Sequence, residues 1–257
     1  MGGRVGAARE RDGADEPLAG NRLLAALQPS DQELIAPHLT SVALGRDTVL
    51  FEAGDDVTAC HFPCGSTMAS LVVALPDGAL VETATVGREG AIGGIVSMGH
   101  KPAFARAVVQ IGGPAIRIDS DRLEELKGRS ATLRDAFARY ADCMIAQVLQ
   151  SVACNALHSL EPRFSRWLLT AQDRVGSAEV PLTQEFLAEM LGVQRTTVTT
   201  VAAALQSRGL IRYSRGRITV LDRAALEASA CPCHDAVVEH FERVLPGVYP
   251  ISARGLA

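Results

Sequence analysis

The stretch that most constrains the fold reads VPLTQEFLAEMLGVQRTTVTTVAAALQSRGLIRYSRGRITVLD and covers residues 180–222. Thr183 is of a residue type that caps helix N-termini, and Gly192 is of the type that ends helices. A second helix is predicted from about Gln194, and two strands joined by a turn at Arg215 follow it. Two short helices with a glycine-containing turn and a hairpin indicate a winged helix-turn-helix, whose second helix enters the DNA major groove. The predicted buried positions are Phe186, Leu187, Met190 and Leu191 in the first helix and Val198, Val201, Ala202 and Leu205 in the second.

The outer face of the second helix carries residues that suit base recognition. Arginine can bond guanine O6 and N7, and threonine offers a hydroxyl group and a methyl group that can meet thymine. Residues 195–217 contain five arginines and no Asp or Glu, although the chain has a net charge of −4, and such a basic strip is typical of a surface that binds polyanions. The alternative is a plain helical hairpin whose arginines face solvent. The predicted base-reading residues are Gln194, Arg195, Thr196, Thr199 and Thr200, and the predicted phosphate contacts are Thr183, Arg208, Arg212, Arg215 and Arg217.

The composition and periodicity of the chain change twice before this region. Short helices are predicted over residues 21–38, and residues 41–118 then contain β-branched runs separated by Gly, Pro and Asp turns, with a hairpin signal, LPDGA, at 75–79. Residues 132–156 contain no Gly or Pro and predict one helix of about seven turns. Its apolar stripe could pack on its own domain or against a second copy of the chain. The stripe consists of Phe137, Ala141, Met144, Val148 and Val152.

Length and composition favour an ordinary globular protein. The chain has 257 residues, of which 47% are hydrophobic and 21% charged, so two modest domains are expected. The N-terminus lacks the apolar region of a signal peptide, and no window reaches the ~18 apolar residues of a membrane span. We therefore expect a cytoplasmic protein with no membrane partner. Six scattered cysteines are too few for a disulfide framework, so reduced thiols are expected.

The order of these parts resembles the Crp/Fnr family of bacterial transcription regulators. The resemblance covers about residues 21–225, and its strongest local match is LTQEFLAEMLGVQRTTVTTVAAALQSRGLI. It implies an α+β fold with an N-terminal antiparallel β-roll of the cyclic-nucleotide-binding type, a long dimerisation helix and a C-terminal winged helix-turn-helix. It also implies a homodimer that binds double-stranded DNA at a pseudo-palindromic operator, with RNA polymerase as a further candidate partner. The expected parts are a flexible lead (1–20), the sensor domain (21–128), the dimerisation helix (129–156), the DNA-binding domain (157–228) and a helical extension (229–257).

The sequence departs from the family pattern at the positions that bind ligand and DNA. Many members read a shared half-site with a Glu and an Arg, whose positions correspond here to Thr196 and Thr200, so that half-site is not expected. Cyclic-nucleotide-binding members hold the ribose with a Gly-Glu pair and the phosphate with an Arg-Ser pair. Here Gly93 is kept, but Gly94 stands in place of Glu, and Phe104 and Ala105 stand in place of Arg and Ser. We therefore predict a degenerate pocket, formed by Gly93, Gly94, Phe104, Ala105 and Arg106, that is empty or refitted, with Arg106 as the remaining candidate anchor.

The cysteines offer a second kind of sensor. Fnr-like members bind an iron–sulfur cluster through cysteines that precede the β-roll, and here none precedes Cys60. We expect no cofactor, with Cys60, Cys64, Cys143 and Cys154 as packing residues and ACPCH in an accessible tail. A metal ion or an iron–sulfur cluster is the alternative, and ACPCH is its favoured position. The candidate ligands are Cys60 and Cys64 with His61, and Cys231 and Cys233 with His234.

The sequence therefore favours a sequence-specific, DNA-binding transcription regulator that acts as a homodimer and whose sensor has lost or changed its ligand. A metal- or redox-responsive regulator is the first alternative. A nucleotide-binding protein or enzyme without DNA-linked function is the second. No Ser-His-Asp spacing, HExxH motif or nucleotide P-loop occurs, so no catalytic residues and no enzymatic activity are predicted. A last helix, HDAVVEHFERVLPG, is expected to pack on the DNA-binding domain or on a dimer partner.

Overall fold

The structure is a computed structural model that describes residues 18–76, 80–95 and 100–251. Most of the predicted flexible lead and the centre of the predicted LPDGA hairpin lie outside the described residues. Where helices and strands were predicted within the described part, the structure has them in the same order, and the α+β fold class is confirmed.

The N-terminal domain, which the sequence predicts to be a sensor, contains one three-stranded and one four-stranded antiparallel sheet. Both sheets contribute side chains to one core, with Phe62 and Ile118 from the first sheet and Val86 and Ala107 from the second. A helical N-terminal segment packs on this core through Leu23, Leu24 and Ile35. The helical segment consists of α1 (Arg22–Ala25), α2 (Pro29–Ile35) and a 3-10 turn (Ala36–His38). The strands are β1 (Thr40–Leu44), β2 (Val49–Phe51), β3 (Ala59–Pro63), β4 (Met68–Ala74), β5 (Leu80–Val86), β6 (Arg106–Ile111) and β7 (Gly113–Asp119). Their order is β1-β7-β3 in the first sheet and β2-β6-β4-β5 in the second.

Two helices lead out of the β-roll, α3 (Ser120–Arg129) and the long α4 (Ala131–Leu157). The hydroxyl of Ser130 accepts a hydrogen bond from the backbone N–H of Leu133 and so caps α4. One face of α4 is buried against the β-roll of its own chain, where Tyr140 donates a hydrogen bond to the carbonyl of Ala91. The long helix is therefore part of the sensor core as well as a connection to the next domain.

The C-terminal domain is the predicted winged helix-turn-helix, with one additional strand. It begins with α5 (Leu160–Val175), which ends at Gly176 in the left-handed conformation. The short strand β8 (Glu179–Val180) pairs with the hairpin β9 (Ile211–Ser214) and β10 (Arg217–Val220) to form a three-stranded wing sheet. Between them lie α6 (Gln184–Leu191) and α7 (Arg195–Ser207), whose predicted buried faces join one core with Trp167 and Leu168 of α5.

Two further helices follow the wing, α8 (Arg223–Ser229) and α9 (Cys233–Val244). Val238 and Phe241 of α9 are buried in the core that the β-roll shares with α4 of the same chain. The C-terminal helix also reaches the DNA-binding domain, because His234 Nε2 lies 2.8 Å from Asp173 Oδ2 on α5. The prediction for this helix was therefore incomplete, since its main contact is the long helix and not the DNA-binding domain.

A buried ion pair joins the β-roll to the helix-turn-helix domain. Arg174 Nε on α5 lies 2.7 Å from Glu89 Oε1 in the loop after β5, and the side chains are 0% and 2% exposed. Arg174 also donates to the amide oxygen of Gln147 on α4, at 2.8 Å. Burial works against the charge of Arg174, but Glu89 more than offsets this, so the pKa of Arg174 lies above its usual value. Arg174 thereby connects α5 to α4 and to the loop after β5.

Across the described ranges, we find no helix that combines the length and the apolar character needed to cross a membrane.

Candidate nucleic-acid interface, sensor cavity and cysteine cluster

The helix-turn-helix is built by the local signals that the sequence contains. Thr183 Oγ1 accepts a hydrogen bond from Phe186 N at 3.2 Å, so it caps α6 as predicted. Gly192 adopts the left-handed conformation (φ 64°) that turns the chain between the helices, and Gln194 is the residue before α7. Thr183 is half-buried, and its hydroxyl group already accepts the capping hydrogen bond. A phosphate contact by Thr183 stays a prediction.

The outer face of α7 is exposed and free of acidic residues. Arg195, Thr196, Thr199 and Thr200 are all exposed, whereas Val198, Ala202 and Leu205 are buried as predicted. Exposed residues thus cover one side of the helix and apolar residues the other, as groove binding requires. Val201 is half-buried, so the buried face is slightly narrower than predicted.

The hydroxyl groups on this face are oriented by the helix backbone. Thr199 Oγ1 donates to the carbonyl oxygen of Arg195 at 3.0 Å and also lies 2.9 Å from Gln184 Oε1. Thr200 Oγ1 donates to the carbonyl oxygen of Thr196 at 3.1 Å. Gln184, the first residue of α6, was not among the predicted site residues. Its contact with Thr199 places it beside the recognition face.

The wing is attached to α7 and presents two arginines. Tyr213 N donates to Gln206 Oε1 at 2.8 Å, which fastens β9 to the helix. Arg215 and Gly216 both have positive φ, 48° and 75°, and form the two-residue hairpin loop. Arg212 and Arg215 are exposed, so the wing carries positive charge beside the helix.

The predicted phosphate-binding arginines fall into two groups. Arg208 forms an ion pair with Glu161, and Arg217 forms one with Glu179. Within the described ranges, Arg195, Arg212 and Arg215 have no ion-pair partner. A phosphate that binds Arg208 or Arg217 shares the guanidinium with a carboxylate that already offsets its charge, so the unpaired arginines are the stronger candidates.

The predicted apolar stripe of α4 packs mainly on its own chain, which is one of the two alternatives that the sequence left open. Phe137 and Met144 are buried against the β-roll of the same chain, Ala141 and Val148 are half-buried, and of the five only Val152 is largely exposed. A second stripe is exposed instead, formed by Ile145 (57%), Leu149 (64%) and Val152 (65%). These positions are spaced i, i+4 and i+7, so they share one face of α4. The i, i+4, i+7 spacing was also visible in the sequence, but the prediction did not include Ile145 and Leu149.

The sensor domain contains an apolar cavity of about 450 Å³ between the β-roll and α4. Gly93, Phe104 and Ala105 line it, as the resemblance implied, together with Met144 and Val148 of α4. Among the described residues that line it none is charged, and the hydroxyl of Thr83 is its one polar side-chain group. Such a lining suits an apolar molecule and offers no counter-charge to a phosphate.

The glycines of the loop are required by close packing. Gly93 has φ +83°, and a Cβ there would lie 2.5 Å from the carbonyl oxygen of Ala59. At Gly94, the position of the missing glutamate, a Cβ would lie 2.8 Å from Cε1 of Phe137. Both distances are too short for a real side chain. An aromatic ring from the long helix thus leaves no room for a side chain at position 94.

Arg106 does not serve as the predicted replacement anchor in this structure. Its Nε lies 3.4 Å from Glu52 Oε1, and Arg106 is not among the residues that line the cavity. Arg106 is the first residue of β6, and this position on the strand gives it a carboxylate partner outside the cavity. Phe104 is 87% exposed, so its ring does not fill the space either.

The cysteines form a cluster that the sequence only half indicated. The ligand atoms of Cys154, His158, Cys231 and Cys233 all lie within 4.8 Å of one another, and the three cysteines are buried. The prediction of an accessible ACPCH tail was therefore wrong, because α9 packs against α4 and covers it. Cys154 is part of this cluster and not only a packing residue. His234, the predicted third ligand, bonds Asp173 instead, and His158 takes its place.

The other predicted pair, Cys60 and Cys64, remains outside this cluster. Both thiols are buried, and burial raises the pKa of Cys64 to about 11. Cys64 Sγ donates to the carbonyl oxygen of Phe62. These features are those of small packing residues, which is how the two cysteines were first interpreted.

A comparison with protein families matches the C-terminal part of the chain. Residues 162–229 match the family model of the Crp-like helix-turn-helix domain. No curated protein matches the sequence significantly.

Solved structures of similar fold cover most of the chain. One is FixK2 from Bradyrhizobium japonicum (TM-score 0.65, 14% identity, 75% of this chain and 98% of that one). Another is a CRP-family transcriptional regulator from Thermus thermophilus (0.62, 23%, 74% and 96%). A third is the c-di-GMP-responsive regulator CLP from Xanthomonas campestris (0.61, 14%, 76% and 100%). These likenesses agree with the resemblance seen in the sequence.

Proposed function

We propose that this chain, which has the fold of the Crp/Fnr transcription regulators and carries a Crp-like helix-turn-helix domain, binds a specific DNA operator as a homodimer. The observation that carries the proposal is the exposed outer face of α7, which presents threonines and an unpaired arginine and no acidic residue. A helix of this kind, fastened to a basic wing, fits the major groove. Two copies related by a two-fold axis would read a pseudo-palindrome with half-sites about 34 Å apart.

The contacts divide by chemistry. Arg195, Thr196 and Thr200 are proposed to read base edges, with Gln194 and Thr199 beside them. Arg212 and Arg215 are proposed to hold phosphates and so fix the register of the helix in the groove. Arg208 and Arg217 would add less to this, because Glu161 and Glu179 already offset part of their charge.

The double variant Arg195→Ala, Arg215→Ala tests this surface. We expect its affinity for an operator selected from random double-stranded DNA to fall at least about tenfold, because one base contact contributes about 1–3 kcal/mol. The slope of log affinity against log salt should also decrease by about one for each phosphate-binding arginine that the variant removes. A matched control is Arg46→Ala, Arg122→Ala, which removes two exposed, ion-paired arginines of the sensor domain. Full operator affinity in the first variant at controlled salt would rule out the proposed interface.

The sensor cavity is proposed to take an apolar effector in place of a cyclic nucleotide. The absence of charge among its described lining residues and the ring of Phe137 beside Gly94 support this assignment. We expect no binding of cyclic AMP or cyclic GMP by calorimetry, and binding of the apolar dye N-phenyl-1-naphthylamine. The variant Ala105→Trp, which places a large ring in the cavity, should abolish dye binding, whereas Leu75→Trp outside the cavity should not. Tight binding of a cyclic nucleotide would contradict the assignment.

A further inference from the structure

We propose that Cys154, His158, Cys231 and Cys233 bind one Zn²⁺ ion in a tetrahedral site that fastens the C-terminal helix to the end of the long helix. The three cysteines and the histidine come from two places in the chain, more than seventy residues apart. The β-roll, the long helix and the winged helix-turn-helix that the Crp/Fnr resemblance implies do not depend on these four side chains.

The distances suit a single ion. Cys154 Sγ and Cys231 Sγ are 3.4 Å apart, and Cys233 Sγ and His158 Nδ1 are 3.5 Å apart. A tetrahedral zinc with bonds of about 2.3 Å to sulfur and 2.0–2.1 Å to nitrogen sets its ligands about 3.8 Å and 3.6 Å apart. Since all four ligand atoms already lie within 4.8 Å of one another, small side-chain shifts complete the tetrahedron.

The same compactness argues against two other uses of the cluster. An iron–sulfur cluster distributes its protein ligands over two or more irons, which separates ligands on different irons by a metal–metal distance in addition to two bonds. A disulfide between Cys154 and Cys231 would join two of the thiols, but it would leave Cys233 and His158 in contact without a role. Three sulfurs and one imidazole nitrogen are the ligand set of a structural zinc site.

The backbone around the four ligands holds them close together before a metal ion binds. Cys154 and His158 are four residues apart at the end of α4, and the backbone N–H of His158 donates to the carbonyl of Cys154 at 3.0 Å. Cys231 and Cys233 flank Pro232, which is the N-cap of α9 and fixes the chain between them. Cys233 is thus the first residue of α9, so its position is fixed by the start of that helix.

The surroundings also supply charge and hydrogen bonds suited to a metal site. Binding of Zn²⁺ by three thiols and a neutral imidazole releases three protons and leaves the site with a net charge of −1. The guanidinium of Arg163 is close enough to interact electrostatically with Cys154 and Cys231, and its Nε is buried without a hydrogen-bond partner among the described residues. The N–H of Cys231 donates to the carbonyl of Pro162 at 3.4 Å, so α5 takes part as well.

The position of the site gives it a consequence for DNA binding. It lies at the junction between α4 and α5, where the sensor part passes into the DNA-binding domain. Arg163 also donates from Nη2 to the carbonyl oxygen of Leu191, the last residue of α6. Occupancy of the site would therefore hold the helix-turn-helix against the long helix. This effect on DNA binding rests on the proposed function, but the metal site itself does not.

Metal analysis of the full-length protein, purified anaerobically without chelator, tests the site. We expect one zinc per chain, and replacement by Co²⁺ should give the visible bands of tetrahedral cobalt with thiolate charge transfer. Cys231→Ser and His158→Gln should each lower the zinc content to a small fraction, whereas Cys64→Ser, a buried cysteine outside the cluster, should retain it. Zinc-free wild type without a cobalt spectrum, a Cys154–Cys231 disulfide, iron with labile sulfide, or equal loss in Cys64→Ser would each overturn the proposal.

A second measurement uses the wild type alone and so does not depend on whether the variants fold. Chelation should lower the Tm by roughly 8–16 °C, the shift expected for free metal at about 1,000 times its Kd on a chain of this size. It should also make three further thiols reactive, and added Zn²⁺ should reverse both changes. An unchanged Tm and thiol count after chelation would overturn the site. Unchanged operator affinity with a lowered Tm would overturn only its effect on DNA binding.

Discussion

Replacement of Leu149 by alanine should weaken the dimer and leave the folded protomer nearly unaffected. Leu149 is 64% exposed in the single chain and lies between Ile145 and Val152 on the outer face of α4. Burying a whole leucine side chain contributes about 1.5–3 kcal/mol, and covering the exposed two-thirds of it contributes about 1–2 kcal/mol. The variant lacks this on both protomers, so the dimer should lose about 2–4 kcal/mol, or roughly 30- to 900-fold in Kd.

Sedimentation equilibrium over a range of concentrations measures this Kd directly. Urea unfolding of the dilute protein provides the stability of the protomer, which should change little because the side chain is exposed there. Leu75→Ala serves as the matched control, since Leu75 is 44% exposed and lies at the end of β4, away from α4. A Leu149→Ala protein with unchanged Kd would show that the second copy does not cover this face. A loss of protomer stability in place of dimer affinity would show that the side chain packs within its own chain.

Three further predictions concern buried groups. Burial, with Arg117 nearby, lowers the pKa of His61 to about 4, so between pH 6.5 and 4 the unfolded chain binds a proton that the folded chain does not. The free energy of unfolding should therefore fall by about 2 kcal/mol from pH 7 to pH 5, and His61→Gln should remove this part of the pH dependence. Glu89→Gln should lower the free energy of unfolding by about 3–5 kcal/mol because it leaves Arg174 buried without its counter-charge, whereas Glu89→Leu, Arg174→Met should lose much less. Gly94→Ala should destabilise the protein by about 1–3 kcal/mol through overlap with Phe137, and adding Phe137→Leu should restore part of this.

Denaturant unfolding provides all three measurements, and each has a result that would contradict it. An identical pH profile in His61→Gln would show that His61 does not titrate in this range. Equal losses in the two Glu89 variants would show that shape, and not charge, holds the interdomain contact. A Gly94→Ala protein as stable as the wild type would show that the loop can move away from the long helix.

The DNA-binding domain was predictable because its signals are local. The cap at Thr183, the left-handed glycine at Gly192 and the apolar spacing of Val198, Ala202 and Leu205 each act within a few residues. Local signals of this kind survive into the fold unless tertiary contacts oppose them. The short strand at Glu179 was missed because two residues carry no periodicity, and it forms only by pairing with β10.

The long helix shows where local reasoning stops. Its sequence carries two apolar stripes, one through Phe137 and Met144 and one through Ile145 and Leu149. Periodicity reports that a face is apolar, but it does not report which neighbour covers that face. The sequence left open whether the first stripe packs on its own domain or on a second copy; the β-roll of the same chain covers Phe137 and Met144, and the second stripe is left exposed.

The cysteine cluster was hidden for a related reason. Cys231 and Cys233 stand out in the sequence, but Cys154 and His158 belong to a helix that ends more than seventy residues earlier. Their encounter depends on the packing of α9 against α4, a contact between distant segments that no short window of sequence contains. The spacing of Cys154 and His158, four residues apart at a helix end, was the available signal, since that spacing sets both side chains on one face.

The hydroxyl groups of α7 have a consequence for the bases that the operator contains. The hydroxyl hydrogen of Thr200 is directed at the carbonyl oxygen of Thr196, and that of Thr199 at the carbonyl oxygen of Arg195 or at Oε1 of Gln184. While those bonds persist in the proposed complex, the two oxygens can accept hydrogen bonds but cannot donate them. The exocyclic amino groups of adenine and cytosine are the donors that the major groove offers. We therefore expect the half-site to present adenine or cytosine opposite these threonines, with guanine confined to the position that faces Arg195.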